Sequence, residues 1–279
     1  MFRTGVTRLD VALRGGVPPG VAIVCGEAGA GKTAIGASFM REACIAGKTA
    51  LYVSTSGAPE VAWLGAPEAL SVVTGKGPEA VAAALAGIQS GVDLVVIDTM
   101  ESGYAGSAVL GLSDMSDELN HEAAKMYAGL TKVGLFSLAA AAERVGALAV
   151  LLVDTRVNFG RGQRIRANLP AGVTHPVDTF LHVYRVATTS ASGTFDYAEI
   201  RIEIRRCRHV TPGARVSTRL WPVVGIDSAY EKLMYLTERG VLVRAGTYWK
   251  SVEPGISLGP GLTKAVAQMR QGLAGAAEE

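Results

Sequence analysis

The feature that most constrains the fold is a glycine-rich turn placed directly after an apolar run. Residues 26–33 read Gly-Glu-Ala-Gly-Ala-Gly-Lys-Thr and fit the pattern G-x-x-x-x-G-K-T. The preceding run, residues 21–25, has the composition of a buried strand, and residues 34–43 have helix-compatible spacing. A strand, a glycine-rich turn and a helix in this order predict a phosphate-binding loop at a helix N-terminus rather than an ordinary turn.

Each position of this loop has a chemical role in holding a nucleoside triphosphate. The glycines let successive backbone N–H groups converge on the phosphates. Lys32 reaches the β- and γ-phosphate oxygens, and the Thr33 hydroxyl ligates Mg²⁺. The pattern therefore predicts ATP and Mg²⁺ as cofactors. The predicted nucleotide-binding residues are Gly26, Glu27, Ala28, Gly29, Ala30, Gly31, Lys32 and Thr33.

A carboxylate at the end of another apolar run completes the predicted metal site. Residues 94–97 have the composition of a buried strand, and Asp98 follows them. In phosphate-loop enzymes an Asp at this place orients Mg²⁺, so we predict that Asp98 acts with Thr33. A structural cap is the alternative. The position of Asp98 after the loop, with one strand expected between them in the chain, favours the metal role.

Composition narrows the class of protein. The chain has 279 residues, of which 49% are hydrophobic and 19% charged, as expected for one large α/β domain with a small appendage. Apolar runs such as residues 147–153 are much shorter than the roughly 20 residues of a membrane span, and we find no secretory signal. A net charge of +2 does not by itself imply nucleic acid. Three cysteines without C-x-x-C spacing indicate reduced, mostly buried thiols of a cytoplasmic protein without a zinc site.

Apolar runs alternate with Ala-rich helical stretches up to residue 179. This alternation predicts a mainly parallel sheet with helices on both faces. Later runs are separated by turn residues and predict strands added at one side of the sheet, partly antiparallel. We expect an α/β core over residues 1–230 and a small C-terminal module over residues 231–279. The predicted strands cover residues 21–25, 49–53, 93–97, 147–153, 180–187, 197–205 and 215–221. The predicted helices cover residues 34–43, 79–88, 120–145 (as one or two helices) and 262–271, and a further helix begins at about residue 231 and leads into residues 241–249.

Several segments resemble the RecA family of recombinases. Residues 4–20, the loop and residues 47–49 are similar to the opening of these proteins. Residues 199–212 resemble the segment in which the family places two basic residues that reach the ATP of the neighbouring subunit. Here that pair is Arg206 and Arg208, with a solvated charge run on an edge strand as the alternative. The resemblance implies a catalytic role in trans for the pair.

The resemblance covers nearly the whole chain, although the sequence is divergent. Residues 236–249 resemble the start of the family's small C-terminal domain, and residues 120–145 resemble the phage branch typified by UvsX. The family implies a RecA-like, DNA-dependent ATPase that binds single-stranded DNA as a homo-oligomer and exchanges strands with duplex DNA. A ring-forming helicase or packaging motor, and a catalytically weak ATP-binding regulator or accessory protein, are the alternatives.

Three departures from the family pattern concern assembly and catalysis. Family members carry an N-terminal docking segment, whereas three residues precede Thr4 here, which puts filament assembly by that route in question. The family also has a carboxylate after the second strand, where residues 54–57 read Ser-Thr-Ser-Gly. Glu60 is the nearest candidate for the general base and Glu101 the next, and either could equally be a surface residue. Asp154 and Thr155 occupy the place of the amide that senses the γ-phosphate.

Two segments correspond to the family's DNA-binding loops. Residues 102–117 are acidic and are expected to contribute backbone and Tyr104 contacts at most. Residues 157–175 are expected to form a long loop, in which arginines neutralise phosphates and an aromatic ring stacks on a base. A solvated basic loop is the alternative. The predicted DNA-binding residues are Phe159, Arg161, Arg164 and Arg166.

Overall fold

The computed structural model shows a large sheet with helices on both faces. It describes residues 1–55, 70–75, 78–100, 117–158, 164–167, 175–189, 197–221, 225–252 and 257–275. The helices are α1 (Thr7–Ala12), α2 (Lys32–Ile45), α3 (Pro78–Gln89), α4 (Asp117–Val145), α5 (Ser228–Glu238) and α6 (Leu262–Gly275). The strands are β1 (Gly20–Gly26), β2 (Ala50–Ser54), β3 (Leu70–Thr74), β4 (Leu94–Asp98), β5 (Leu148–Asn158), β6 (Arg164–Ala167), β7 (Thr179–Thr189), β8 (Tyr197–Cys207), β9 (Arg215–Trp221), β10 (Gly225–Ile226), β11 (Leu242–Ala245), β12 (Tyr248–Ser251) and β13 (Ser257–Leu258).

The main sheet combines a parallel half with an antiparallel half. Its strand order within the described ranges is β10-β9-β8-β7-β1-β5-β4-β2-β3, with β6 paired to β5. The pairs of β1 with β5 and β7, of β4 with β5 and β2, and of β2 with β3 are parallel. The strands from β7 to β10 are joined by antiparallel pairs. This architecture confirms the predicted α/β, RecA-like fold class.

Burial on both faces explains the continuous apolar runs of the central strands. Alternate residues of a strand point to opposite faces of the sheet. In β1, Val24 packs in the cluster that contains Phe39 of α2, while Ile23 packs in the cluster that contains Leu138 of α4. Both faces of these strands must therefore be apolar, as is usual for parallel sheets covered by helices.

The edge strand β3 was missed by the sequence interpretation. Its residues 71–74 are exposed, so it lacks the buried apolar run from which the other strands were predicted. Two strands, β2 and β3, therefore separate the phosphate loop from Asp98 in the chain, and the expectation of one was wrong. Residues 117–145 form one continuous helix, α4.

The prediction of a long loop at residues 157–175 was also wrong in part. Strand β5 continues to Asn158 and pairs with β6 in an antiparallel hairpin. Val157 lies opposite Ile165 in this pairing, and β-branched residues favour strands. The strand was predicted to end at residue 153, whereas it continues past the edge of the parallel sheet.

The C-terminal residues have a hydrophobic cluster of their own. Leu233, Trp249 and Val266 belong to it, and it joins α5, α6 and the three-stranded sheet β11-β12-β13. Helix α5 is also tied to the core, because Arg8 Nη2 lies 3.1 Å from Oε1 of the buried Glu231. The division at residue 231 stays a prediction, and residue 231 lies within α5.

A carboxylate near the N-terminus makes stability depend on pH. Asp10 Oδ1 accepts a hydrogen bond of 2.8 Å from the Thr4 N–H, but burial raises the pKa of Asp10 to about 6. The folded state thus holds this proton more tightly than the unfolded state, and stability falls as pH rises from about 4 to about 6. Above pH 6 the carboxylate is ionised in both states, and its burial lowers the free energy of unfolding by a constant amount.

We expect Asp10→Asn to stabilise the protein above pH 6. The amide keeps the acceptor for Thr4, and at ~1.4 kcal/mol per pKa unit the gain is about 1–3 kcal/mol. Urea denaturation from pH 4 to pH 8 should show the difference between variant and wild type growing up to about pH 6 and then staying constant. The exposed Asp93, changed to Asn, is the control. A difference that does not change with pH would contradict the assignment.

Candidate nucleotide-binding site

The phosphate loop lies at the carboxyl edge of the parallel strands. Strand β1 ends at Gly26, and α2 begins at Lys32 after Gly31, whose φ of 97° is in the left-handed region that favours glycine. A Cβ on Gly26 would lie 2.4 Å from the carbonyl oxygen of Val183, so glycine is required there. The N-cap residue Gly31 makes no side-chain hydrogen bond to the N-terminus of α2. Backbone N–H groups at a helix N-terminus suit a phosphate.

The amine of Lys32 is held inside this loop. The side chain is buried, and Nζ donates to the carbonyl oxygens of Gly26 (3.1 Å) and Glu27 (2.9 Å). Nζ also forms an ion pair of 2.7 Å with Oδ1 of Asp154. The cation is therefore positioned where the phosphate oxygens of a nucleotide would bind.

Asp98 ends strand β4 as a buried carboxylate. The hydroxyls of Tyr52 and Thr99 donate to it over 2.5 Å and 2.7 Å. Burial raises the pKa of Tyr52, so this phenol remains a donor. Thr33, in the first turn of α2, would supply the second oxygen ligand. The described residues contain no cluster of three or more His, Cys, Asp or Glu, but oxygen ligands from Thr33, Asp98, phosphate and water fit Mg²⁺.

Strand β5 brings Asp154, one of the two predicted sensor residues, to the loop. Asp154 lies opposite Gly26 in the β1–β5 register, and its side chain is 43% exposed. Thr155 follows it, and its Oγ1 is buried without a hydrogen-bond partner within the described part of the chain. A polar group of this kind is available to a ligand.

Hydroxyl groups stand where the family resemblance places an acid. Ser54 ends β2 opposite Asp98, and Thr55 Oγ1 donates to the carbonyl oxygen of Thr99 over 2.8 Å. These contacts join the ends of β2 and β4. Glu60 and Glu101, the two predicted candidates for the general base, lie outside the described residues and stay predictions.

A cavity of about 550 Å³ lies beside the loop, and the sequence interpretation missed it. The buried Glu203 holds Arg205 at 3.0 Å and Arg215 at 3.6 Å. Burial and then Arg205 lower the pKa of His182, so the neutral ring accepts from Arg205. The signal available in the sequence was the alternation of polar and apolar residues along β7 and β8, which puts polar side chains such as His182, Glu203 and Arg205 on one face of the sheet. The lining residues are Glu27, Ala28, Gly29, Ala30, His182, Tyr184, Arg185, Glu203, Arg205 and Arg215.

Arg206 and Arg208 lie at the opposite edge of the sheet from the loop of their own chain. Arg206 pairs with Phe180 near the start of β7, whereas the loop follows the end of β1. Both arginines are exposed. Arg208 Nε lies 2.5 Å from Oδ1 of the buried Asp178, and Nη1 lies 3.3 Å from Glu143. A role at the ATP of another subunit stays a prediction.

The predicted DNA-binding residues are only partly covered by the structure. Arg164 and Arg166 lie in β6, whose partner β5 continues beyond Asp154 and so beyond the phosphate loop. Phe159 and Arg161 lie outside the described residues. The hairpin and the loop therefore share the carboxyl edge of the sheet.

This fold and loop define the class: a phosphate-loop protein with a RecA-like core. A family model described as "ATPase: KaiC" matches residues 2–63. The solved structure of the RadB recombinase is similar to this chain, with a TM-score of 0.57, 17% identity, and coverage of 79% of this chain and 96% of that chain. At this identity the likeness shows the fold. No curated protein matches.

The described helices include none that is long and apolar enough to cross a membrane.

Proposed function

We propose that this protein is an ATP-dependent recombinase that binds single-stranded DNA as a homo-oligomer and promotes homologous pairing and strand exchange. Strand β5 is the observation that carries the proposal. It brings Asp154 into an ion pair with Lys32 of the phosphate loop, and it then continues directly into the hairpin that contains Arg164 and Arg166. A phage or prophage origin remains part of the proposal.

ATP would act on the hairpin through this strand. Lys32 would bind the β- and γ-phosphates, and Thr33 and Asp98 would hold Mg²⁺, which neutralises phosphate charge. Thr155, whose Oγ1 has no hydrogen-bond partner among the described residues, is our candidate for sensing the γ-phosphate. Because Thr155 is also the first β5 residue that pairs with β6, ATP binding would order the hairpin and hydrolysis would release it.

The sheet face formed by β7–β9 supports nucleic acid as the partner. Ile200, Ile202 and Ile204 of β8 pack in the core, so the residues between them point to the other face. There Arg201 lies over the ring of Tyr184 at 5.8 Å. Arginines interleaved with aromatic rings suit phosphates and bases. The charged residues of this face are Glu199, Arg201, Glu203, Arg205, Arg215 and Arg219.

An ATP-binding regulator with weak catalysis is the second candidate. Ser54 and Thr55 favour it, because they stand where the recombinase pattern has an acid. Measured ATP turnover with and without single-stranded DNA separates the two candidates. Counting subunits per oligonucleotide by sedimentation separates a filament from a ring-forming motor.

Substitution of the three predicted DNA-binding arginines tests the DNA assignment. Replacing Arg161, Arg164 and Arg166 by Ala removes up to three phosphate contacts. At about 0.7 per contact on single strands, the slope of log affinity against log salt should become shallower by up to about two units. Phe159→Ala should cost about 1–3 kcal/mol if the ring stacks on a base, with little change in slope. Anisotropy titrations of a labelled oligonucleotide at several salt concentrations measure both effects.

A triple variant at exposed cations of the C-terminal residues is the matched control. Arg239, Lys250 and Lys264 are exposed and lie far along the chain from the hairpin. Their replacement by Ala removes the same charge and should leave the slope unchanged. If the variant of Arg161, Arg164 and Arg166 kept the wild-type affinity and salt slope, residues 157–175 would be excluded as the DNA contact, and the regulator would be favoured.

A further inference from the structure

We propose that Asp154 is a catalytic residue that positions the attacking water and accepts its proton during ATP hydrolysis. The inference rests on the proposed ATPase function. It assigns to Asp154 the task of the family's carboxylate after the second strand, at whose place residues 54–57 read Ser-Thr-Ser-Gly.

Strand order brings this carboxylate to the reacting group. Strand β5 lies directly beside β1, and Asp154 is opposite Gly26, the first residue of the loop. Its Oδ1 lies 2.7 Å from Nζ of Lys32. The loop lysine binds β- and γ-phosphate oxygens in this class of site, so the carboxylate is next to the γ-phosphate. It can reach a water between itself and the phosphorus, as a general base requires.

Exposure and partners distinguish Asp154 from the other described carboxylates near the site. Its side chain is 43% exposed, so water has access to it. Asp98 is buried and accepts hydrogen bonds from the hydroxyls of Tyr52 and Thr99. These bonds hold its carboxylate in the orientation that we assign to Mg²⁺ binding. Glu27 lies on the other side of the loop, in the wall of the cavity with His182. Among the described carboxylates near the site, Asp154 is therefore the one that contacts the loop lysine and is also accessible to water.

Asp154 and the phosphates of ATP would compete for the same cation, Nζ of Lys32. When ATP binds, Nζ exchanges Asp154 for phosphate oxygens, and the carboxylate is left free to bind water. The water oxygen then forms a bond to the γ-phosphorus, and the bond from that phosphorus to the bridging oxygen breaks. The electron pair of the broken bond stays on ADP. The proton of the water passes to Oδ of Asp154 and afterwards to solvent.

Asp154→Asn is the decisive variant, because the amide has nearly the same shape but cannot accept the proton. We expect kcat to fall about 100-fold or more, as for loss of a general base. Affinity for a fluorescent ATP analogue should be equal or tighter, because a negative charge that competes for Lys32 is removed. Asp154→Glu should recover part of the turnover, and formate should partly restore turnover to Asp154→Ala.

Asp93→Asn is the matched control. Asp93 is 39% exposed, pairs with Lys48 at 3.7 Å and precedes β4 at the opposite edge of the sheet, so its variant should match wild type. A kcat of Asp154→Asn equal to or above that of wild type would overturn the proposal. Parallel loss of affinity and kcat, without recovery by Glu or formate, would also overturn it. A wild-type protein without any turnover contradicts the ATPase function itself, which is a distinct outcome.

Discussion

Lys32→Ala is expected to weaken ATP binding by about 10- to 100-fold, because a charge-assisted hydrogen bond contributes about 1.5–3 kcal/mol. Turnover should fall further, by about 100- to 1000-fold in kcat, since the lysine also stabilises charge that develops on the transferred phosphoryl group. Titration with a fluorescent ATP analogue and a phosphate-release assay measure the two effects separately.

The structure adds a second effect to this variant. Removing the amine leaves Asp154 without its cation at 2.7 Å, so a negative charge faces the incoming phosphates. Adding Asp154→Asn to Lys32→Ala should therefore recover part of the affinity but none of the turnover. Lys48→Ala is the control, because Lys48 forms a similar pair with Asp93 away from the loop. Unchanged binding and turnover in Lys32→Ala would refute the phosphate-loop assignment.

The double variant Arg206→Ala/Arg208→Ala is expected to lose DNA-stimulated ATP hydrolysis by about 1000-fold or more, as when an arginine finger is removed. Nucleotide binding by the isolated protomer should be nearly unchanged, because both residues lie at the sheet edge opposite their own loop. Parallel binding and turnover assays therefore distinguish a role in trans from one in the same chain.

Mixing of two inactive variants tests the role in trans directly. A protomer with Lys32→Ala keeps its arginines, and a protomer with the arginine substitutions keeps its loop. Mixed assemblies should recover a fraction of the wild-type turnover, because some sites then combine an intact loop with intact neighbouring arginines. No recovery at any mixing ratio would exclude that role.

The control for folding follows from the contacts of Arg208. Its guanidinium pairs with the buried Asp178 at 2.5 Å, so Arg208→Ala leaves a buried carboxylate without its cation. Arg206→Ala/Arg208→Ala/Asp178→Asn removes that buried charge. We expect this triple variant to have the same midpoint of urea denaturation as the wild type and still to lack DNA-stimulated turnover. That result would separate the effect on stability from the effect on catalysis.

The phosphate loop could be predicted from the sequence because its determinants are local. An apolar strand, glycines at fixed positions and a following helix lie within one short stretch of chain, so their chemistry does not depend on distant residues. Asp98 was predicted for the same reason, as a carboxylate that ends an apolar run. The antiparallel strands after residue 179 also followed from their turn residues and alternation, and the sheet pairing confirms them.

The rest of the site depends on strand order, which no local pattern reveals. Asp154 reaches Lys32 because β5 inserts between β1 and β4, and the cavity arises because β7 and β8 bring Glu203 and Arg205 beside the loop. Strand β3 was missed because its exposed residues 71–74 leave no buried apolar run. The pairing of β5 with β6 was missed because Asn158 and the two arginines of β6 do not belong to an apolar run. Residues far apart in the chain meet through hydrogen-bonded pairing and burial, and these forces act only once the sheet has formed.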